Sequence, residues 1–242
     1  MARPAGEQPA DANAPITRQF VKFDFFKVDR AWRDLPEKDR ELARREFVAV
    51  LDKHAERLLI RTYTLMGLRG DADFLIWLVG EDLHDFQRLA TTLRQARLGR
   101  FLDQPYSYLA ATKRSMYLIK HKHPGQEGDR RRIEPSGKPY LFVYPFVKTR
   151  PWYALSKATR QGMMDHHIGI GHKYPGVKIN TTYSYGIDDQ EFVVAFEADS
   201  AHEFLDLVME LRETDASLYT QRDTPSFTCL AATPEDVLES IA

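Results

Sequence analysis

Residues 72–94, ADFLIWLVGEDLHDFQRLATTLR, and residues 190–212, QEFVVAFEADSAHEFLDLVMELR, are two copies of one pattern. Asp73-Phe74 pairs with Glu191-Phe192, and His84-x-Phe86-x-x-Leu89 pairs with His202-x-Phe204-x-x-Leu207. In each copy an apolar run of strand length passes through an acidic turn into a segment that is apolar on one side at helical spacing. The duplication continues upstream. Ala31-Trp32 to Arg40 matches Pro151-Trp152 to Arg160 at an offset of 120, and Tyr63 to Gly67 answers Tyr183 to Gly186.

Outward from this pair the rest of each half falls into place. QFVKFDFFKV (19–28) alternates as a strand. Residues 29–58 read as a helix, with Pro36 near its first turn. LLIRTYTLMGL is a strand and Arg69-Gly-Asp71 a turn. In residues 82–102, Leu83, Phe86, Leu89, Leu93 and Leu98 fall on one helical side, and residues 106–120 are extended. Each half is therefore βαββα plus a final strand, the ferredoxin-like order. The expected fold class is α+β: two ferredoxin-like repeats forming a dimeric α+β barrel within one chain. The expected divisions are a disordered leader (1–17), a first repeat (18–120), a linker loop (121–138) and a second repeat (139–242) carrying the site.

Composition bounds the function. A formal net charge of −1 offers no general attraction to nucleic acid or anionic membranes. No apolar run approaches the roughly 20 residues that span a bilayer. The single cysteine, Cys229, excludes an internal disulfide and suits a reducing compartment. MARPAGEQPADANAP has no apolar stretch of signal-peptide type. A cytoplasmic location is expected.

A duplicated scaffold with one active site has broken its own symmetry, so chemistry is sought where the halves differ. His167 stands where the first half has Phe47, and Tyr144 has no counterpart in Lys22-Phe23-Asp24. His167 lies near the end of a helix that Ser156 can cap, with Arg160, Met163 and Met164 on its face. His166 leaves that helix about 100° away, so the two histidines do not share one metal. A neutral imidazole on a Met-lined face suits axial ligation of haem iron; its ordinary alternative is a core histidine bonded to backbone. Tyr144 precedes Pro145, which forces extended backbone and aims the phenol out of the sheet. Such a phenol can pass a proton or give up an electron and a proton, or it can be an ordinary strand tyrosine. Lys148, Arg150 and Trp152 together form a cationic, aromatic rim suited to the carboxylates of a flat ring, or else a solvated strand end. His121, His123 and Arg130–Arg132 read as a solvated charge run.

Tyr144-Pro-Phe-Val-Lys148, Trp152-Tyr153, Met163-Met164-x-x-His167 and Gly186-Ile-Asp-Asp189 together resemble the chlorite dismutase-like family of haem proteins, and within it the coproheme decarboxylase branch. The resemblance extends to LRETDASLYT and DTPSFTC, and is stronger over residues 139–230 than over 18–110. It implies peroxide-dependent oxidative decarboxylation of iron-coproporphyrin III (coproheme) to haem b through a tyrosyl radical. By the same resemblance His167 is the axial iron ligand, Tyr144 the radical site and Lys148 the lysine that steadies a propionate. Ser217 falls on the serine that touches a propionate. Homopentameric rings and a transient contact with a porphyrin-delivering ferrochelatase are further implications. Chlorite dismutases hold an arginine over the iron, on the strand that here reads Val177-Lys-Ile-Asn-Thr-Thr182. The position falls on Ile179 or Asn180, depending on a one-residue gap, and the glutamine of many decarboxylases is absent as well. The distal base is unassigned. Chlorite dismutation, non-catalytic haem carriage and a haem-free barrel with an interaction role are the competing readings.

Overall fold

The computed structural model of the chain describes residues 17–115, 117 and 132–241. The proposed leader before residue 17, His121, His123, Arg130 and Arg131 lie outside the described residues. The first half contains β1 (Phe20–Val28), α1 (Glu37–His54), β2 (Leu59–Thr64), β3 (Phe74–Gly80), α2 (Leu83–Gln95) and β4 (Leu102–Ala111). The second contains β5 (Tyr140–Lys148), α3 (Arg150–Ala154), α4 (Lys157–Gly171), β6 (Val177–Tyr183), β7 (Phe192–Ala198), α5 (Ala201–Arg212), β8 (Thr220–Arg222) and β9 (Phe227–Ala231), followed by α6 (Pro234–Ser240).

The strands run β4-β1-β3-β2 in one half and β6-β7-β5-β9 in the other, antiparallel throughout. That is the same order twice, with the first and third strands of each repeat at the centre. β2 meets β9 through Tyr63↔Ala231 and Thr64↔Leu230, and β4 meets β6 at Ala111↔Tyr183. Eight strands thus close into a barrel, and β8 extends β5 outside it. The β4–β6 seam is thin, and Asp188 reinforces it by accepting from Leu109 N at 2.8 Å.

Side chains of a strand alternate between faces, so one set fills the barrel and the other faces outward. Val21, Phe23, Phe25, Leu75, Trp77, Val79, Leu141, Val143, Val193, Ala195, Phe227 and Cys229 form the inner core. Phe74, Ile76 and Leu78 point the other way and are buried under α1, α2 and α6, with Phe47, Leu51, Leu89 and Val237 among their neighbours. Leu83, expected on this apolar side, is instead 41% exposed as the first residue of α2. Side-chain caps open most of these helices: Asp82 for α2, Ser156 for α4, Ser200 for α5 and Thr233 for α6.

The halves share detailed chemistry as well as topology. Val28 N donates to Asp73 Oδ2 at 2.8 Å, and Lys148 N donates to Glu191 Oε2 at 2.8 Å. Gly67 and Gly186 take φ of 77° and 70° at equivalent turns, a conformation that suits glycine. Trp32 and Trp152 are both buried. Tyr144 lies within β5 opposite Val194, and the strand runs on past Pro145 to Lys148. β9 pairs only with Tyr140–Val143, so β5 is unpaired on that side near Pro145, where a missing N–H does least harm.

Candidate functional site

The outer face of the second sheet is where the two halves part. The counterparts of Phe74, Ile76 and Leu78 are Phe192, Val194 and Phe196, and these line a cavity of about 800 Å³ instead of being sealed under a helix. Helix α1 buries Ala43, Phe47 and Leu51, and the Phe47 ring meets Phe74 edge-on at 6.3 Å. Helix α4 buries only Ile170. Helix α5 covers one end of the same sheet face, where Phe204 stacks on Phe142 at 3.8 Å. Replacing a core phenylalanine by His167 on a helix that stands off the sheet opens the space.

The helix face turned to the cavity carries Arg160, Met164, His167, Ile168, Gly171 and His172, which is helical spacing. Met163 is not among the lining residues. Burial, with Lys148 and His166 adding like charge, lowers the His167 imidazole to a pKa of about 4, so it is neutral at physiological pH. Among the described residues its buried Nδ1 has no hydrogen-bond partner. None of those residues therefore explains this imidazole as a core group satisfied through Nδ1. Among the described residues no cluster of three or more His, Cys, Asp or Glu is placed to hold a bare metal ion.

Across from α4, β5 presents Tyr144, Phe146 and Lys148 to the same space. The Tyr144 ring stacks on Phe196 at 5.7 Å, and burial raises its phenol well above the ordinary value. Lys148 is buried; its Nζ donates to Ala216 O at 2.7 Å and lies 4.7 Å from the Trp152 ring centre. Ala216 lies in the 3-10 turn Asp215–Tyr219, which also brings Ser217 to the cavity. Ile179 lines the wall, whereas its neighbour Asn180 is buried on the opposite strand face and donates to Glu197 Oε1 at 3.0 Å. Strand alternation thus turns Ile179, and not Asn180, toward the cavity. Lys178 is turned away and donates to Glu134 O.

Of the residues expected from sequence, Tyr144, Lys148, Trp152, His167, Ile179 and Ser217 line one cavity. Arg150 does not; its side chain is 90% exposed and lies 4.0 Å from Glu191. Arg132 is also away from the site, paired with Glu81 at 3.1 Å. Several lining groups were not expected at the site from sequence: Arg18, Lys113, Tyr185 and Arg212, and Tyr153, which entered only within the Trp152-Tyr153 motif. The β5–β7 pairing that gathers Lys148, Tyr153 and Glu191 leaves no local motif. Five cations (Arg18, Lys113, Lys148, Arg160 and Arg212) face one carboxylate, Asp223, among the described lining residues. Flat apolar walls, a neutral orphan imidazole and a cationic border fit an iron porphyrin bearing several carboxylates.

Burial lowers the Lys148 ammonium from 10.5 to about 8, against an upward pull from Glu191. A carboxylate ligand held by this lysine should bind progressively less well as pH rises through about 8. Stability should move oppositely, rising from about pH 8 to 10.5, because the unfolded chain there holds the proton that the folded one has lost. Porphyrin titrations at several pH values check this. Lys148→Met should bind weakly throughout and show no such step.

The sequence model of chlorite dismutase matches residues 40–232 of the chain. Coproheme decarboxylase from Mycolicibacterium smegmatis is 34% identical over 167 residues, 69% of this chain and 70% of that protein. Coproheme decarboxylase from Staphylococcus carnosus is 31% identical over 235 residues, 89% of this chain and 92% of that protein. A mutant chlorite dismutase from Candidatus Nitrospira defluvii superposes with a TM-score of 0.83 at 26% identity, covering 93% of this chain and 95% of that one. Duplicated barrel, one-sided cavity and these matches agree: the chain belongs to the chlorite dismutase family.

Proposed function

We propose that the protein is a coproheme decarboxylase, converting iron-coproporphyrin III to haem b with hydrogen peroxide as oxidant. The observation that carries this reading is the meeting of His167, Tyr144 and Lys148 in one cavity of about 800 Å³, where the matching sheet face of the first half leaves only about 30 Å³ beside Ile76 and Leu78. When bound, the substrate's iron supplies the one-electron oxidation chemistry of peroxide. His167 holds that iron through a nitrogen that is neutral at working pH. Lys148, with Ser217 and Trp152 beside it, holds a propionate carboxylate, and Ile179 packs the ring on the face opposite the imidazole. Tyr144 gives up an electron and a proton, and the resulting phenoxyl takes a hydrogen atom from the propionate side chain. The carbon radical then gives one electron to the second oxidising equivalent of the peroxide and its carboxyl proton to water, so that carbon dioxide leaves and a vinyl group remains. Each propionic acid consumes one hydrogen peroxide and yields one vinyl group, one carbon dioxide and two waters, so atoms and electrons balance. With two propionates to react and one Tyr144, the substrate turns or rebinds between steps.

The relatives named coproheme decarboxylase support this reading, as does the cationic border of the cavity. Mixing the protein with iron-coproporphyrin III and peroxide should give two successive mass losses of carboxyl size. A porphyrin of unchanged mass would refute it. Residues 139–242 act as the catalytic repeat and 18–120 as its scaffold, joined by 121–138. A homopentameric ring in the cytoplasm, supplied by a ferrochelatase, completes the proposal. Among the described residues, no helix is long and apolar enough to cross a membrane. The exposed Leu205 and Met209 of α5 are apolar surface of the kind that subunit contacts use.

Chlorite dismutation is the nearest alternative. Splitting and rejoining chlorine–oxygen bonds needs an oxychlorine anion held by a fixed cation over the iron. Ile179 offers none, and Asn180 and Lys178 are engaged elsewhere. The porphyrin-loaded protein should therefore release negligible oxygen from chlorite in an oxygen-electrode assay, and sustained evolution would contradict the assignment.

A further inference from the structure

Two phenols and a carboxylate beside Lys148 are not used by this mechanism. Tyr153 O–H donates to Glu191 Oε2 at 2.5 Å, and Tyr185 lies 2.7 Å from the Tyr153 oxygen. Because the Tyr153 proton is given to Glu191, Tyr185 donates to Tyr153. Both phenols line the cavity, Glu191 is buried, and Tyr185 is 47% exposed at the rim. We propose that Tyr153, with Glu191 as proton acceptor and Tyr185 as its link to the surface, is a second oxidisable phenol of this cavity. It discharges oxidising equivalents when Tyr144 has no substrate carboxylate beside it. The inference rests on the reading that the cavity takes an iron porphyrin and peroxide.

A neutral phenol yields an electron readily only if its proton has somewhere to go, because the protonated radical is a strong acid. Tyr153 has that acceptor built in. Among the described residues, no hydrogen bond joins the Tyr144 hydroxyl to a protein acceptor. Tyr144 must therefore wait for a carboxylate brought by the substrate, and Tyr153 need not. In the step proposed, the Tyr153 O–H bond breaks, and its electron passes to the one-electron oxidant made from peroxide in the cavity. Its proton passes to Glu191, leaving a neutral tyrosyl radical that accepts a hydrogen bond from Tyr185. Net transfer of the hole to Tyr185 returns the Tyr153 hydrogen and brings the radical to solvent, where a reductant can quench it.

The fold supplies its own control for the plainer reading, in which Tyr153 and Glu191 merely pin α3. In the first half Asp73 makes the equivalent backbone bond to Val28 and pairs with Lys27 at 2.6 Å. The position matching Tyr153 is Arg33, which is exposed, yet Trp32 beside it is fully buried. Pinning the turn therefore needs the carboxylate and the tryptophan, and no phenol.

The test loads the full chain with iron-protoporphyrin IX, which has vinyl groups where the reacting propionates would be. It is mixed with hydrogen peroxide, frozen rapidly and measured by electron paramagnetic resonance. Wild type should give a hydrogen-bonded tyrosyl signal. Tyr153→Phe should lower it about fivefold or more, while Tyr144→Phe should change it about twofold or less. Glu191→Gln keeps an acceptor for Lys148 N but is no base, so it should lower the yield and alter the signal's g-values. A signal indifferent to Tyr153→Phe, or no organic radical at all, overturns the proposal. Coproheme decarboxylation by that same wild type would leave the proposed function standing. Failure of the wild type to take up porphyrin, read from its absorption spectrum, would remove both.

Discussion

Tyr144→Phe is expected to bind iron-coproporphyrin III nearly as tightly as wild type and to lose decarboxylation by orders of magnitude. Phenylalanine keeps the ring that stacks on Phe196, so the packing of β5 against β7 is preserved. The hydroxyl makes no hydrogen bond within the described residues, so its loss leaves no orphaned partner and should cost little stability. What disappears is a one-electron, one-proton donor on the cavity wall. If the phenol only positioned substrate, the loss would be that of an ordinary hydrogen bond, about 0.5–1.5 kcal/mol and hence roughly tenfold or less in rate. If it is the radical relay, peroxide is still consumed while the porphyrin mass stays fixed. Mass spectrometry of the porphyrin after timed peroxide addition separates these outcomes. Haem b formed at more than about a tenth of the wild-type rate would rule out the radical role. Lys148→Ala provides the contrast, since it loosens the carboxylate and spares the phenol.

The repeat makes the fold legible in the sequence itself. Phe74 and Phe192, Trp32 and Trp152, and the acids before β3 and β7 are sequence-visible marks of one unit used twice. Closure of the barrel was expected from two apolar sheets needing to bury each other, yet its seams carry almost no sequence signal. One joins Ala111 to Tyr183, and the other joins two residue pairs of β2 and β9. The cavity was legible only as a difference. His167 in place of Phe47 marks where a helix stops sealing the sheet, but the space itself depends on how far α4 stands off, which no residue pattern records.

Side-chain direction at the site was partly readable. Alternation along β6 assigns Ile179 to the cavity once the register with β7 is known, and that register is a long-range property. Arg150 looked equivalent to Lys148 by proximity in sequence. The chain turns into α3 between them, so one ends buried and the other in solvent. Glu191 and Tyr153 are 38 residues apart, and only the pairing of β5 with β7 brings them to 2.5 Å.

The second large effect is expected at His167. Replacing it with alanine should abolish axial ligation and weaken iron-porphyrin binding by more than the roughly 10–100-fold that losing an outer-shell partner of a metal ligand costs. The fold should survive, for two reasons. The side chain borders a cavity, and its buried Nδ1 has no partner among the described residues to strand. Added imidazole should enter the vacated place and restore a histidine-type absorption spectrum, which separates loss of a ligand from loss of structure. His166→Ala, on an exposed face of the same helix, should change neither spectrum nor affinity. Acid stability offers an independent check. The folded imidazole has a pKa of about 4 against 6.5 for the free group, so the unfolded chain takes up its proton first as pH falls. Wild type should lose stability between pH 6.5 and 4 through this group, and denaturant titrations of His167→Ala should show a shallower decline over that window. Unchanged high-affinity binding with an intact histidine-type spectrum in His167→Ala would mean that another residue holds the iron. His172, one turn further along the same cavity-facing side of α4, would then be the residue to replace.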